Sequence, residues 1–344
     1  MTTSESRQRI GILSHRVLLP AVDDLDPRSV REFVERGCRS VLLGETRPEY
    51  LARTMSDERR ARETPELVRA MVRDLRSSAS GPLIVAADEE LVGIRRFEHL
   101  ISRSRSPRRA PASPEEAATL AAGRATEFAA LGVNTVLGPV LDVVRGANPW
   151  LSGRNLGPDP APIARLGKAT IEGLRAGGVS AIAKHYPGHA VVEDDPAVAR
   201  ARVHTSLEDL ETIDAEPFRA AVDAGARGIM LGPAVIESLD PDAPASTSAT
   251  VVRHARETLA FDGALVTDDL DAVSILRDRR FGDVAVAAIA AGADLLLVAA
   301  PHAEECAGAL EQAVQSGTLD FERLSDAAVR VERLAAASSQ LTTS

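Results

Sequence analysis

Gly178-Val179-Ser180-Ala181-Ile182-Ala183-Lys184-His185-Tyr186-Pro187-Gly188-His189 is the stretch that decides how the chain reads. A glycine suits the left-handed position just past a helix end. The short apolar run after it, without alternation, fits a parallel strand buried on both faces. The run then breaks into Lys, His and a Pro-Gly turn, and loops at strand ends carry function disproportionately. Of 40 Lys plus Arg residues, only Lys168 and Lys184 are lysine. The chain otherwise uses arginine, a planar fork, where lysine is a compact donor on a flexible stem. Lys184 and His185 are therefore candidate residues of a polar site.

The same punctuation recurs on either side. Gly37 precedes Ser40–Leu43, Gly132 precedes Val133–Val136, Gly225 precedes Gly228–Leu231, and Gly292 precedes Ala293–Val298. Pro82–Ala87 and Ala264–Thr267 follow loops, and Arg9–Leu13 opens the sheet, which makes eight strands in all. Between them lie helical segments. One opens at the Ser113-Pro114-Glu115-Glu116 capping box and runs to about Leu131, and another runs from Ser206 to about Ala224. Eight alternating strand and helix units predict an α/β fold, a (β/α)8 TIM-type barrel, as a single domain over residues 1–344 with its core from about Arg9 to Ala335. A doubly wound open sheet is the runner-up, and no glycine-rich phosphate fingerprint follows the first strand to support it.

The composition narrows the function. A net charge of −10 argues against nucleic acid as a partner, and 3% aromatic residues argue against a base-stacking platform. Cys38 and Cys306 fit neither a disulfide framework nor a zinc site, so no metal and no cofactor are expected. No apolar run approaches the ~20 residues of a membrane span, and the N-terminus lacks a secretory signature. The expectation is a cytoplasmic enzyme of undetermined oligomeric state.

In a barrel, chemistry sits at the C-terminal strand ends. There the chain offers Asp88-Glu89-Glu90, the Pro139–Asp142 region with Arg154 in its loop, Lys184-His185, and Thr267-Asp268-Asp269. Taken singly, each is equally well read as half of a structural ion pair. Together they suit a polyhydroxylated ligand, and Asp268 has the chemistry of a nucleophile toward an anomeric carbon. Two loops also stand out. Ser102–Pro111 is basic and reads as solvated. Asp142–Pro160 is long and rich in Gly, Asn and Pro, as functional loops often are.

From about Ile10 to Leu334 the chain resembles glycoside hydrolase family 3, in particular its bacterial β-N-acetylglucosaminidase branch. The resemblance rests on Lys184-His185-Tyr186-Pro187-Gly188-His189, on Asp262-Gly263-Ala264-Leu265-Val266-Thr267-Asp268-Asp269-Leu270, and on Pro139–Val143, Arg154–Gly157 and Leu239–Ala245. It implies a barrel without a companion sandwich domain, a retaining mechanism with Asp268 as nucleophile, and a sugar-binding set of Asp88, Arg96, Arg154, Lys184 and His185. It also implies a small carbohydrate or glycoconjugate as substrate.

The pattern breaks at the general acid/base. The branch carries an Asp-Ser-His triplet on the loop after the Pro-Gly-His turn. An ungapped count places Asp195, Pro196 and Ala197 there, so the catalytic His is replaced by Ala197. General acid help is worth ~10²–10⁴-fold. Glu193, Asp194 and Asp195 cluster on the same loop, and Glu193 and Asp195 are the acid/base candidates. His204 or His189 could substitute from elsewhere. The remaining alternatives are a sugar-binding pseudo-hydrolase, or a homologue repurposed for phosphorolysis, transglycosylation or specialised metabolism.

Overall fold

The computed structural model describes residues 3–102 and 109–341, so most of the basic Ser102–Pro111 loop lies outside the described residues. Eight strands form the main sheet: β1 Leu18–Val22, β2 Ser40–Leu43, β3 Ile84–Asp88, β4 Thr135–Val140, β5 Ser180–Tyr186, β6 Gly228–Leu231, β7 Ala264–Thr267 and β8 Leu296–Ala299. They pair in parallel in the order β8-β1-β2-β3-β4-β5-β6-β7. A parallel Val266–Leu295 bridge and the bonds from Thr267 N to Leu295 O and Leu270 N to Leu297 O close β7 onto β8. The predicted (β/α)8 barrel is the fold observed.

The first strand is a correction. Arg9–Leu13 lies in a helix, Thr3–Arg16, and the sheet begins at Leu18. Ile10, Leu13 and Val17 recur at helical spacing and pack on the core. The true strand contains Pro20, whose missing N–H argues against a central strand, yet Pro20 sits opposite Val298 between two neighbours. β5 also extends past Ala183, which brings Lys184 and His185 into the strand. The segment after Ser206 is not one uniform helix: a short turn, Leu207–Asp209, passes through a wide π-type stretch, Leu210–Asp214, into the helix Ala215–Asp223.

The punctuating glycines do what the pattern required. Gly37, Gly132, Gly178, Gly225 and Gly292 all have positive φ. At Gly132 the backbone turns at φ 88°, and a Cβ there would lie 2.7 Å from Val72 Cγ1. Gly173 serves packing instead. A Cβ on it would lie 2.4 Å from Ala118 O, so it lets helices Pro114–Leu131 and Pro160–Ala176 meet backbone to side.

Side chains such as Leu19, Ile84, Ile182 and Val266 fill the barrel interior. The last helix, Phe321–Leu341, stops the end at which the strands begin. Its Val331, Leu334 and Ala335 join that cluster, and Ser338 bonds both Thr135 and Ser180, the first residues of β4 and β5. Each such buried aliphatic side chain contributes about 1.5–3 kcal/mol. The interior is thus plugged from below, and the cavity lies at the C-terminal end. There Leu42, Leu137, Met230 and Leu297 form an apolar floor.

Above β2 and β3, Glu63 ties the connections together. It accepts both Nη atoms of Arg96 at 2.8 and 2.6 Å, Arg59 Nη1 at 3.0 Å, and contacts His99 Nε2 at 3.1 Å. Arg96 Nε donates to Gly44 O at 2.6 Å, fastening this cluster to the end of β2. Burial works to raise the Glu63 carboxyl's pKa, but His99 and Arg96 outweigh it and hold the group at about 2, against an ordinary 4.5. A depressed carboxylate contributes stability that is fully present above its ordinary pKa and is lost as pH falls through the folded value. Glu63→Gln should therefore lower stability by roughly 3 kcal/mol at neutral pH, with the gap to wild type closing between about pH 5 and 2. Urea unfolding across that range checks it, and an unchanged gap at low pH would assign the loss to packing.

Candidate active site

A cavity of about 490 Å3 opens at the C-terminal strand ends. Asp88 ends β3 and Lys184 lies near the end of β5, so the strands on either side of β4 deliver acid and base to one wall. Lys184 Nζ donates to Asp88 Oδ1 at 2.6 Å and lies 3.0 Å from Glu90 Oε1. Glu90 also takes Arg154 through two bonds, from Nη2 at 2.7 Å and Nε at 3.1 Å, and accepts Ile94 N. Burial alone would push the Glu90 carboxyl up, but Arg154 and Lys184 hold it well below the usual carboxylate range. Burial likewise opposes the Lys184 charge, and Asp88 and Glu90 outweigh it, so its pKa lies above the ordinary value. Gly93 makes room for this network, since a Cβ there would lie 2.0 Å from Glu90 Oε2.

His185 is oriented from beneath. Asp142 Oδ2 accepts its backbone N at 3.0 Å and meets its Nδ1 at 2.9 Å. A carboxylate only accepts, so Nδ1 carries the proton and Nε2 is left as an acceptor. Burial outweighs the Asp142 charge and lowers the His185 pKa, favouring the neutral ring. The other Asp142 oxygen meets His189 Nδ1 at 2.9 Å, and Trp150 packs on His185 with centroids 4.5 Å apart.

The long loop before helix Pro160–Ala176 folds through its own polar residues. Asn148 accepts Leu151 N and donates to His189 O, and Asn155 accepts Gly157 N. This places Trp150 and Arg154 in the wall, where Trp150 Nε1 and Arg154 Nη1 donate to the Tyr50 hydroxyl oxygen at 2.9 and 3.1 Å. The Tyr50 O–H remains as a donor.

Asp268 follows β7 directly. Its backbone N donates to Leu231 O at 3.1 Å and lies 3.2 Å from Ser246 Oγ; its Oδ1 accepts Asp269 N at 2.7 Å. Oδ2 has no hydrogen-bond partner among the described residues. Asp269 shares Arg47 with Asp271. Burial, then the Asp271 charge, raises the Asp269 pKa well above the ordinary value.

Of the residues singled out in the sequence, Asp88, Arg154, Lys184, His185 and Asp268 line this one cavity. Arg96 does not: it is fully buried behind the wall in the Glu63 cluster. On the loop after His189, the residue that lines the cavity is Ala197. Asp195 is half-buried and its Oδ1 accepts Ala197 N at 2.9 Å, whereas Glu193 is exposed. Sequence reasoning missed Glu45, Arg47, Tyr50 and Trp150, which also line it. Trp150 is the chain's single tryptophan and stands in the loop already marked as unusual, a signal that could have found it. Among the described residues no group of three or more His, Cys, Asp or Glu side chains could hold a metal ion. No helix among them is long and apolar enough to cross a membrane.

Comparison with known proteins agrees with this geometry. The family described as glycosyl hydrolase family 3 N terminal domain matches residues 47–334. A beta-hexosaminidase of Tolumonas auensis is 31% identical over 233 residues, 66% of this chain and 70% of that protein. One from Xanthomonas oryzae pv. oryzae is 30% identical over 254 residues, 72% of this chain and 75% of that protein. Among solved structures, a glycoside hydrolase family 3 beta-N-acetylglucosaminidase from Paenibacillus superposes with a TM-score of 0.83 at 26% identity, over 98% of this chain and 63% of that one. A beta-N-acetylhexosaminidase from Beutenbergia cavernae gives 0.79 at 27% identity, over 96% and 98%. Barrel, cavity and family match agree: the chain belongs to glycosyl hydrolase family 3.

Proposed function

We propose that the chain hydrolyses β-linked hexosaminides by a retaining mechanism with Asp268 as nucleophile. The observation that carries this reading is the placement of Asp268, at the end of β7, in the same cavity as the Asp88–Lys184–Glu90–Arg154 network. The names of its relatives add support. Asp88 and His185 Nε2 accept from sugar hydroxyls, and Lys184, Arg154 and Tyr50 donate. An oxygen of Asp268 attacks the anomeric carbon, and the bond to the leaving oxygen breaks as that oxygen takes a proton. Water then attacks the glycosyl-Asp268 ester, gives up a proton to the group that donated the first, and regenerates the carboxylate.

The proton carrier in this reading is a carboxyl of the loop that sets Ala197 in the wall, with Asp195, the half-buried one, ahead of the exposed Glu193. Methyl side chains carry no proton, so Ala197 cannot do it. Ala197 O accepts Val273 N and Pro196 O accepts Ser274 N, which holds the loop beside the segment following Asp268.

Asp268→Ala should abolish turnover of aryl and alkyl glycosides alike, and a 2-deoxy-2-fluoro glycosyl fluoride should label Asp268 in the wild type. Wild-type rates in Asp268→Ala, or a label elsewhere, would overturn the assignment of nucleophile. Nitrophenolate leaves without help, whereas an alkoxide needs the proton. Asp195→Asn should therefore lose ~10²–10⁴-fold on alkyl glycosides and far less on nitrophenyl ones. Equal losses on both would remove Asp195 from proton transfer, and Glu193→Gln tests the second carboxyl in the same way.

Lys184→Arg should weaken sugar binding by about tenfold or more, because the planar fork cannot reproduce a point donor set between Asp88 and Glu90. Unchanged affinity would make Lys184 a purely structural cation.

A further inference from the structure

We propose that Arg145, held by Asp214, is a positioning residue that fixes the loop of Asp195 and Ala197 for proton transfer, a role that rests on the retaining-hydrolase reading of that loop. Three hydrogen bonds join the start of the loop, His189–Val192, to the long loop after β4. Arg145 N donates to Ala190 O at 3.1 Å, Val192 N to Ala147 O at 3.0 Å, and Asn148 Nδ2 to His189 O at 2.7 Å. Gly146 lets the two run this close, since a Cβ there would lie 2.8 Å from Val191 Cγ2. Glu193 and Asp194 alone separate the last of these bonds, at Val192, from Asp195.

Both segments are irregular, and the regular element that anchors them is reached through Asp214. This residue ends the wide π-type stretch Leu210–Asp214 and directly precedes the helix Ala215–Asp223. Wide turns of this kind are rare and recur at functional sites. Here the turn sets a fully buried carboxylate against the Pro187–His189 turn. A Cβ on Gly188, whose φ is 118°, would lie 2.8 Å from Asp214 Cβ. Arg145 Nη1 and Nη2 donate to the two Asp214 oxygens at 2.7 and 3.0 Å. A guanidinium fork on a carboxylate fixes direction as well as distance. Arg145 thus bonds the loop through its backbone and the helix start through its side chain. The far end of the loop is tied separately: Pro196 O and Ala197 O accept Ser274 N and Val273 N, and Ala201 N donates to Ser274 Oγ at 3.1 Å. Asp195 stands between these two attachments. Without the fork, the near end is bonded to a segment that has lost its own bond to the helix.

The test separates placement of the proton carrier from general loss of structure. Misplacing a reacting group by about 1 Å costs on the order of 10²-fold, so Arg145→Met should lower kcat/KM on alkyl glycosides by about ten- to a hundredfold and far less on nitrophenyl ones. Labelling of Asp268 by the 2-deoxy-2-fluoro glycosyl fluoride, whose fluoride leaves without a proton, should keep its wild-type rate. Arg145→Lys keeps the charge but not the fork and should recover part of the loss; it gives the same comparison should the Met variant not fold. Combining Arg145→Met with Asp195→Asn should add little to the loss from Asp195→Asn alone, because both act on one proton transfer. Equal losses on the two substrate types, a matching loss of labelling, or two losses that multiply in full in the double variant would each overturn the proposal. If Asp195→Asn shows the leaving-group-dependent loss and neither Arg145 variant does, this proposal fails alone and the proton-transfer reading stands. If the Arg145 variants show it and Asp195→Asn does not, the assignment of Asp195 fails and the positioning by Arg145 stands.

Discussion

Glu90 holds two cations at once inside the barrel wall, Arg154 through two bonds and Lys184 Nζ at 3.0 Å. Its side chain is fully buried, and a lone carboxylate there would be far too costly. Two positive partners make it tolerable, and in doing so they fix where both cations stand. Arg154 comes from a loop of irregular structure and Lys184 from a strand, so this carboxylate locks the loop to the barrel. Trp150 and Tyr50 are positioned by the same attachment, through the hydroxyl that accepts from Trp150 and Arg154. Breaking a buried pair by removing one member typically costs 3–5 kcal/mol, because the other charge is left unmatched. The cavity-facing groups are therefore held in place by the fold itself.

Asp142, two residues past the end of β4, plays the matching role for the next strand. By accepting from both His185 and His189 it sets the tautomer of the ring that meets the cavity. Burial alone would raise its pKa, but the two histidines hold it well below the usual range. Carboxylates behind the wall thus decide which hydrogen-bonding faces are presented in front of it. Such second-layer control is what a pocket for a hydroxyl-rich ligand requires, because each hydroxyl must find a donor or acceptor of the right sense.

Much of this was legible in the sequence, for reasons specific to particular residues. The glycines before the apolar runs gave the βα rhythm because positive φ at a helix end is a local requirement that local sequence reports. Asp88, Lys184 and Asp268 stood out because they end buried runs. The first strand was misread because Pro20 disguises a central strand and Ile10, Leu13 and Val17 mimic nothing stronger than a short apolar patch. Arg96 was named only through the family resemblance, and its fork is taken by Glu63, a partner 33 residues away that only folding brings near. Glu45, Arg47 and Tyr50 sit in a stretch whose charges look like an ordinary solvated helix start. Only closure of the barrel turns them into a wall.

Glu45 and Ala197 can be understood together. On the loop after His189, Ala197 presents to the cavity a methyl group that cannot take part in proton transfer; at the end of β2, Glu45, whose carboxyl burial pushes up to about 8, lines the same cavity. The two are set apart, because burial and then the charges of Asp88, Arg96, Lys184 and Glu90 govern the titration of Glu45, on the side of β3 and β5. The loop of Ala197 lies instead beside the segment following Asp268, where Ala197 O accepts Val273 N and Pro196 O accepts Ser274 N. The charge at Glu45 is therefore set on the side of β3 and β5, and in the proposed reaction the loop of Ala197 bears separately on the departure of the leaving group.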